Sequence, residues 1–155
     1  MKQLPRATIH LSNIVSNWQA LDGLHPGATT AAVVKADAYG LGAVPVARAL
    51  LRSGCSTFFV AYLEEALAVR KALGLGPRIF VLNGPTRKEM SAYIAAGITA
   101  VLSSPDHLKA WANAPKGTSA LHFDTGMNRL GLKAAALATT LTDLQRLQPV
   151  LVMSH

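Results

Sequence analysis

VPVARALLRSGCSTFFVAYLEEALAVRKALGLGPRIFVLNG, residues 44–84, carries the repeat from which the architecture follows. It reads twice as helix, glycine, apolar run: VPVARALLRSG passes into CSTFFVA, and LEEALAVRKALGLG passes into PRIFVLNG. The helical halves place apolar residues on one stripe, for example Leu63, Ala66, Leu67, Val69 and Leu73, which predicts a face packed on a core. FFVA and IFVL are apolar at consecutive positions instead of alternating, the pattern of a strand covered on both faces, as in a parallel sheet.

On its C-terminal side, RKEMSAYIAAG passes into ITAVLSS, and a segment around HLKAWANAPKG passes into TSALHFD. Gly54, Gly76, Gly97 and Gly117 punctuate the series, 22, 21 and 20 residues apart. Glycine suits the left-handed position just past a helix C-terminus, so each is expected to stop a helix. TTAAVV before Lys35 and the closing PVLVMSH complete a set of about six strands, each followed by a helix except the last. Such an α/β series predicts either an open doubly wound sheet or a closed (β/α)8 barrel of the TIM type. Residues 1–24 stand outside the repeat: RATIHLSNIVSNWQALDGL predicts a short alternating leader strand that turns into a helix capped by Ser12. Residues 25–155 then form the β/α portion. Six units fall two short of a closed barrel, and the expectation is that the chain is a fragment of a longer protein.

Composition narrows the class. The chain has 155 residues, half of them hydrophobic and 15% charged, which excludes disorder and coiled coil. Its longest uncharged stretch, Met90 to Pro105, is interrupted by Ser91, Gly97, Thr99, Ser103 and Ser104, so no membrane span is expected. MKQLPRATIH has no apolar segment behind its basic residue, so no secretory signal is expected and the cytoplasm is the default location. The single cysteine, Cys55, lies in the apolar SGCSTFFVA and reads as a small buried hydrophobe. A formal charge of +7 invites a nucleic-acid reading, but seven Lys and eight Arg are scattered from Lys2 to Arg146 with few aromatics among them. Nucleic-acid binding is not expected.

In a barrel, chemistry sits where strands end. Those positions hold Lys35, Asn83 and Gly84, Ser103 and Ser104, Asp124 to Arg129, and His155. Lys35, in VVKADAYGLG, is the most informative: an amine at the end of a buried strand is partly desolvated, and a neutral lysine can form a Schiff base. It can equally snorkel its charge or hold a phosphate. Tyr39 is placed to bring a hydroxyl to an anion near the next helix N-terminus. In DTGMNRLG, residues 124–131, Asp124 caps the turn and Arg129 presents a fork of donors suited to a carboxylate or phenolate oxygen. No metal-ligand spacing links His10, His25 and His107, so no metal site is expected.

Through VVKADAYGLG and DTGMNRLG the sequence resembles the alanine racemase family, the pyridoxal-phosphate enzymes of fold type III. RATIHLSNIVSNW resembles the family's opening strand and helix, and the final MSH its strand-end histidine motif. The resemblance implies an incomplete (β/α)8 barrel without the family's C-terminal β domain, a pyridoxal 5'-phosphate cofactor, and interconversion of L- and D-alanine that supplies D-alanine for peptidoglycan. It implies that Lys35 is the catalytic residue, forming the Schiff base with the cofactor and exchanging a proton at Cα. Tyr39 would bond the phosphate, Arg129 would lie near the phenolic oxygen and the substrate carboxylate, and His155 would pack near the pyridine ring. A small amino acid is the implied substrate, and the full-length enzyme would be a homodimer whose partner supplies an opposite-face tyrosine. Without that tyrosine the chain alone is expected to be inactive. Two other readings share the lysine chemistry: a racemase of broader amino-acid specificity, and a non-catalytic pyridoxal-phosphate-binding barrel. One position departs from the family. Two residues before the aspartate of DTGM, where many members carry a carbamylated lysine, this chain has His122; an imidazole cannot copy an anionic carbamate, so Arg129 must be positioned otherwise, by a bound anion or an acidic neighbour.

Overall fold

The computed structural model describes residues 6–113 and 117–155, with the side chains of 137–139 set aside. Six strands follow one another through the chain: β1 (Ala32–Val33), β2 (Thr57–Val60), β3 (Arg78–Val81), β4 (Thr99–Leu102), β5 (Ser119–Phe123) and β6 (Leu151–Ser154). Each pairs in parallel with the next, and their spatial order is their sequence order. That order decides between the two predicted architectures. A doubly wound sheet reverses its winding at a switch point, whereas winding that never reverses is barrel-like. The sheet is a curled part of a (β/α)8 barrel.

Helices α1 (Leu11–Leu24), α3 (Ala43–Arg52), α4 (Leu63–Leu73), α5 (Met90–Ala95), α6 (Pro105–Ala112) and α7 (Ala134–Arg146) surround it, with a short turn, α2 (Lys35–Tyr39), after β1. The consecutive apolar positions of each strand divide between two faces. Phe58, Val60, Ile79, Val81, Ala100, Leu102 and Leu121 pack outward against the helices, while Phe59, Phe80, Val101, Ala120, Leu151 and Met153 form a smaller cluster inside the curl. Phe59 stacks on Phe80 with ring centroids 4.8 Å apart.

Four local expectations are corrected. Arg6–His10 form no strand; all five are exposed, and a strand needs a ladder partner. Ser12 lies inside α1 and His10 occupies its N-cap without a side-chain bond. That helix nevertheless joins the body: Leu11, Ile14, Val15 and Trp18 pack on the core, and Trp18 Nε1 donates to Thr30 O at 3.0 Å. On α4, Leu67 is 39% exposed because it falls off the edge of the stripe, and Arg70 takes the buried place. Its guanidinium donates to Ala96 O, Gly74 O, Pro77 O and Gly97 O at 2.7–2.9 Å. The glycine that ends α4 with a positive φ is Gly74, not Gly76, while Gly117 is required for space: a Cβ there would meet Trp111 at 2.8 Å.

Candidate active site

The segment after β1 turns with an unusual hand. Ala36, Asp37, Ala38 and Tyr39 have φ between +50° and +56°, a left-handed helical turn made without glycine. Left-handed conformations cost L-residues roughly 1–2 kcal/mol each, so the turn must be held from outside. Inside it, Ala38 N donates to Val34 O at 2.9 Å and Gly40 N to Ala36 O at 3.0 Å. Asp37 Oδ1 accepts from Ala43 N at 2.6 Å, so the first amide of α3, expected to face an anion beside Tyr39, is already satisfied. At the other end Glu65 Oε1 accepts from Ala36 N at 2.6 Å, and its Oε2 accepts from Ala61 N at 2.7 Å and Tyr62 N at 3.2 Å.

DTGMNRLG is a closed loop on the end of β5. Leu132 N donates to His122 O at 2.7 Å and Asp124 N to Leu132 O at 3.0 Å, which zips its stem. Asp124 Oδ1 accepts from Gly126 N and Asn128 N, both at 3.0 Å, and these bonds hold its carboxyl below the ordinary carboxylate value. The turn role predicted for Asp124 is thus met. Gly131 has φ +123°, and a Cβ there would strike the backbone of Phe123 and Asp124, so only glycine closes the loop.

These two devices meet in one cavity of about 550 Å³ at the C-terminal rim of the sheet. Lys35, Tyr39, Arg129 and His155 all line it, joined by His122 and Asn83. The walls between them are apolar or aromatic: Val33, Phe59, Leu82, Leu130 and Met153. Among the described residues no Asp or Glu lines the cavity, so the acidic neighbour considered for Arg129 is not found there. Ser103 and Ser104 border an adjacent hollow with His107 and Asp124, which Asn83 and Arg129 share.

His122 is only 5% exposed, and neither ring nitrogen has a hydrogen-bond partner among the described residues. Burial pushes its pKa below the ordinary imidazole value, and the neighbouring His155 and Arg129 push the same way. A buried imidazole with two idle nitrogens at a cavity wall is equipped to bond a polar ligand atom. Sequence reading marked His122 as a departure but missed Glu65, whose contacts cross from one β/α unit to the next. The available signal was its place at the third position of α4, where a carboxylate commonly returns to the N-terminal amides. Cys55 is 1% exposed, with its thiol pushed up by burial, consistent with a packing role. No cluster able to hold a metal occurs among the described residues, and no described helix is long and apolar enough to cross a membrane.

Comparison with known proteins matches residues 9–155 to the family described as "Alanine racemase, N-terminal domain". An alanine racemase of Rhodospirillum rubrum is 45% identical over 157 aligned positions, covering 96% of this chain and 42% of that protein. A catabolic alanine racemase of Mesorhizobium japonicum is 46% identical, covering 96% of this chain and 41% of that one. Among solved structures, the alanine racemase of Bartonella henselae, with covalently bound pyridoxal phosphate, superposes with a TM-score of 0.89 at 34% identity, covering 95% of this chain and 45% of that one. The chain therefore spans less than half the length of the relatives it matches.

Proposed function

The chain belongs to the alanine racemase N-terminal domain family, and from that premise we propose that it is the cofactor-binding part of a pyridoxal-phosphate-dependent alanine racemase. The observation that carries the reading is the meeting of Lys35, Tyr39, His122, Arg129 and His155 in one cavity free of described carboxylates. An amine, a phenol, a guanidinium and two imidazoles suit a ligand that combines an aldehyde, a phosphate and a phenolic oxygen. The flat Phe59 and the apolar walls suit its ring.

In this reading Lys35 would hold the cofactor through its amine and would carry the Cα proton on one face. The rigid end of β1 and the left-handed turn fix where that amine can reach. Tyr39 would hold the phosphate with its hydroxyl. Arg129, carried on the closed 124–131 loop, would hold the phenolic oxygen and the substrate carboxylate, and His155 would lie beside the ring. His122, neutral at physiological pH by its depressed pKa, offers a hydrogen bond in place of the carbamate charge. The bound cofactor supplies a sink for the electron pair left at Cα. The opposite-face acid or base belongs to the longer protein, which we read as a cytoplasmic homodimer acting on alanine to supply D-alanine for peptidoglycan. Residues 1–24 serve as a leader and 25–155 as the cofactor-binding portion.

The test is to incubate the protein with pyridoxal phosphate, reduce with borohydride and map the labelled peptide. Label on Lys35, lost in Lys35→Ala while other lysines are unaffected, is the expected outcome; label that persists undiminished in that variant would refute the assignment. Exchange of the alanine α-proton with deuterated solvent by the full-length protein then separates a racemase from a protein that only binds the cofactor.

A further inference from the structure

We propose that Glu65 is a positioning residue for Lys35: its carboxylate is the strut that holds the strained turn, and with it the lysine, against the end of β2. The left-handed turn contains no glycine at Ala36 to Tyr39, so its conformation is not one its residues prefer. Two carboxylates anchor it, one from within the turn and one from outside. Asp37 holds the exit, six residues from the amide it accepts. Glu65 holds the entrance from 29 residues away, accepting from the amide directly after Lys35 at 2.6 Å.

The same carboxylate binds two walls of the cavity. Its second oxygen accepts from Ala61 N at 2.7 Å and Tyr62 N at 3.2 Å, and Ala61, Tyr62 and Lys35 all line the cavity. Only a group with two acceptor oxygens can serve both sides. Glu65→Gln keeps the shape but turns one oxygen into an NH2, so whichever way the amide flips, a donor faces a backbone N–H. Glu65→Asp is one methylene short of bridging both sets. The orientation that keeps the oxygen on the two amides of Ala61 and Tyr62 retains more bonds, so in Glu65→Gln the NH2 is turned toward Ala36 N, and in Glu65→Asp the shortened carboxylate stays with the same near pair; the peptide after Lys35 then loses its partner, and the amine moves relative to the pocket.

The test compares Glu65→Gln and Glu65→Asp with Glu89→Gln in the full chain. Glu89 is a matched control, since its carboxylate also accepts backbone and side-chain bonds, from Thr86 at 2.8 and 2.6 Å. Three readouts are taken: exchange of the Ala36 amide by NMR, reductive methylation of Lys35 by formaldehyde relative to Lys88 and Lys133 across pH, and borohydride trapping of pyridoxal phosphate on Lys35. Both Glu65 variants are expected to speed Ala36 exchange at least ~ten-fold and shift the Lys35 methylation ratio about three-fold or more, with trapping reduced roughly ten- to hundred-fold, since misplacement by about an ångström has that order of effect. Glu89→Gln should change none of the three. Unchanged Ala36 exchange, or faster exchange with an unchanged methylation ratio, overturns the proposal. The trapping arm alone rests on the cofactor reading above: absence of trapping in the unaltered protein would count against that reading, while exchange and methylation still decide the role of Glu65.

Discussion

Arg70 shows how differently a residue reads in the sequence and in the fold. In the sequence it is half of Arg70-Lys71, one of the denser basic pairs of a scattered positive charge. In the structure it is 8% exposed and donates to four backbone carbonyls, tying the end of α4 and the approach to β3 to the end of α5. Gly74 and Ala96 are the C-caps of α4 and α5, and all four carbonyls lose this donor when the guanidinium is removed. Arg70→Met should cost about 3 kcal/mol or more by loss of charge-assisted bonds at a buried site, read as a lowered denaturant midpoint at unchanged slope. Arg70→Lys should fall in between, because one ammonium cannot reproduce the planar fork.

At the scale of the element, the turn Lys35–Tyr39 is where local preference loses to tertiary context. Four L-residues in succession occupy the left-handed region. Ala36 is exposed, so its Cβ contributes strain without packing. Ala36→Gly should therefore stabilise the protein by roughly 1 kcal/mol, the strain relieved exceeding the added unfolded-state entropy; a rise in thermal midpoint checks this, and a fall would show that the turn does not carry the strain inferred. The KADAYG composition gave no warning of the turn, because the chain forces it through Glu65 and Asp37. The helix stripes, by contrast, were legible from spacing, apart from Leu67 and Arg70.

The whole molecule responds to pH through groups that share one sign. Burial depresses the pKa of both His107 and His122 below the ordinary 6.5. A histidine easier to protonate when unfolded contributes stability that is complete above 6.5 and is lost as pH falls through the depressed folded values. Stability should thus decline on acidification from about pH 6.5 downward, and His122→Asn should flatten the profile; an unchanged profile in that variant would place the titration elsewhere. Asp124, also depressed, adds a separate loss further down, around and below the ordinary 3.8. The sheet's outer strands have a second consequence: among the described residues β1 and β6 each pair on one side only, and Val33, Val150 and Val152 are 46%, 50% and 61% exposed. The 155-residue chain should self-associate, and Val152→Lys should reduce light scattering without changing the circular dichroism.

The β/α repeat, its parallel strands and the residues at the strand ends were legible along the chain, since apolar spacing, glycine punctuation and the two motifs are local properties. The winding direction, the left-handed turn, the burial of Arg70 and the hydrogen bonds of Glu65 emerged only on folding. Each of these depends on hydrogen bonds or packing between segments far apart in the chain, and no local pattern records which distant backbone group a side chain will meet.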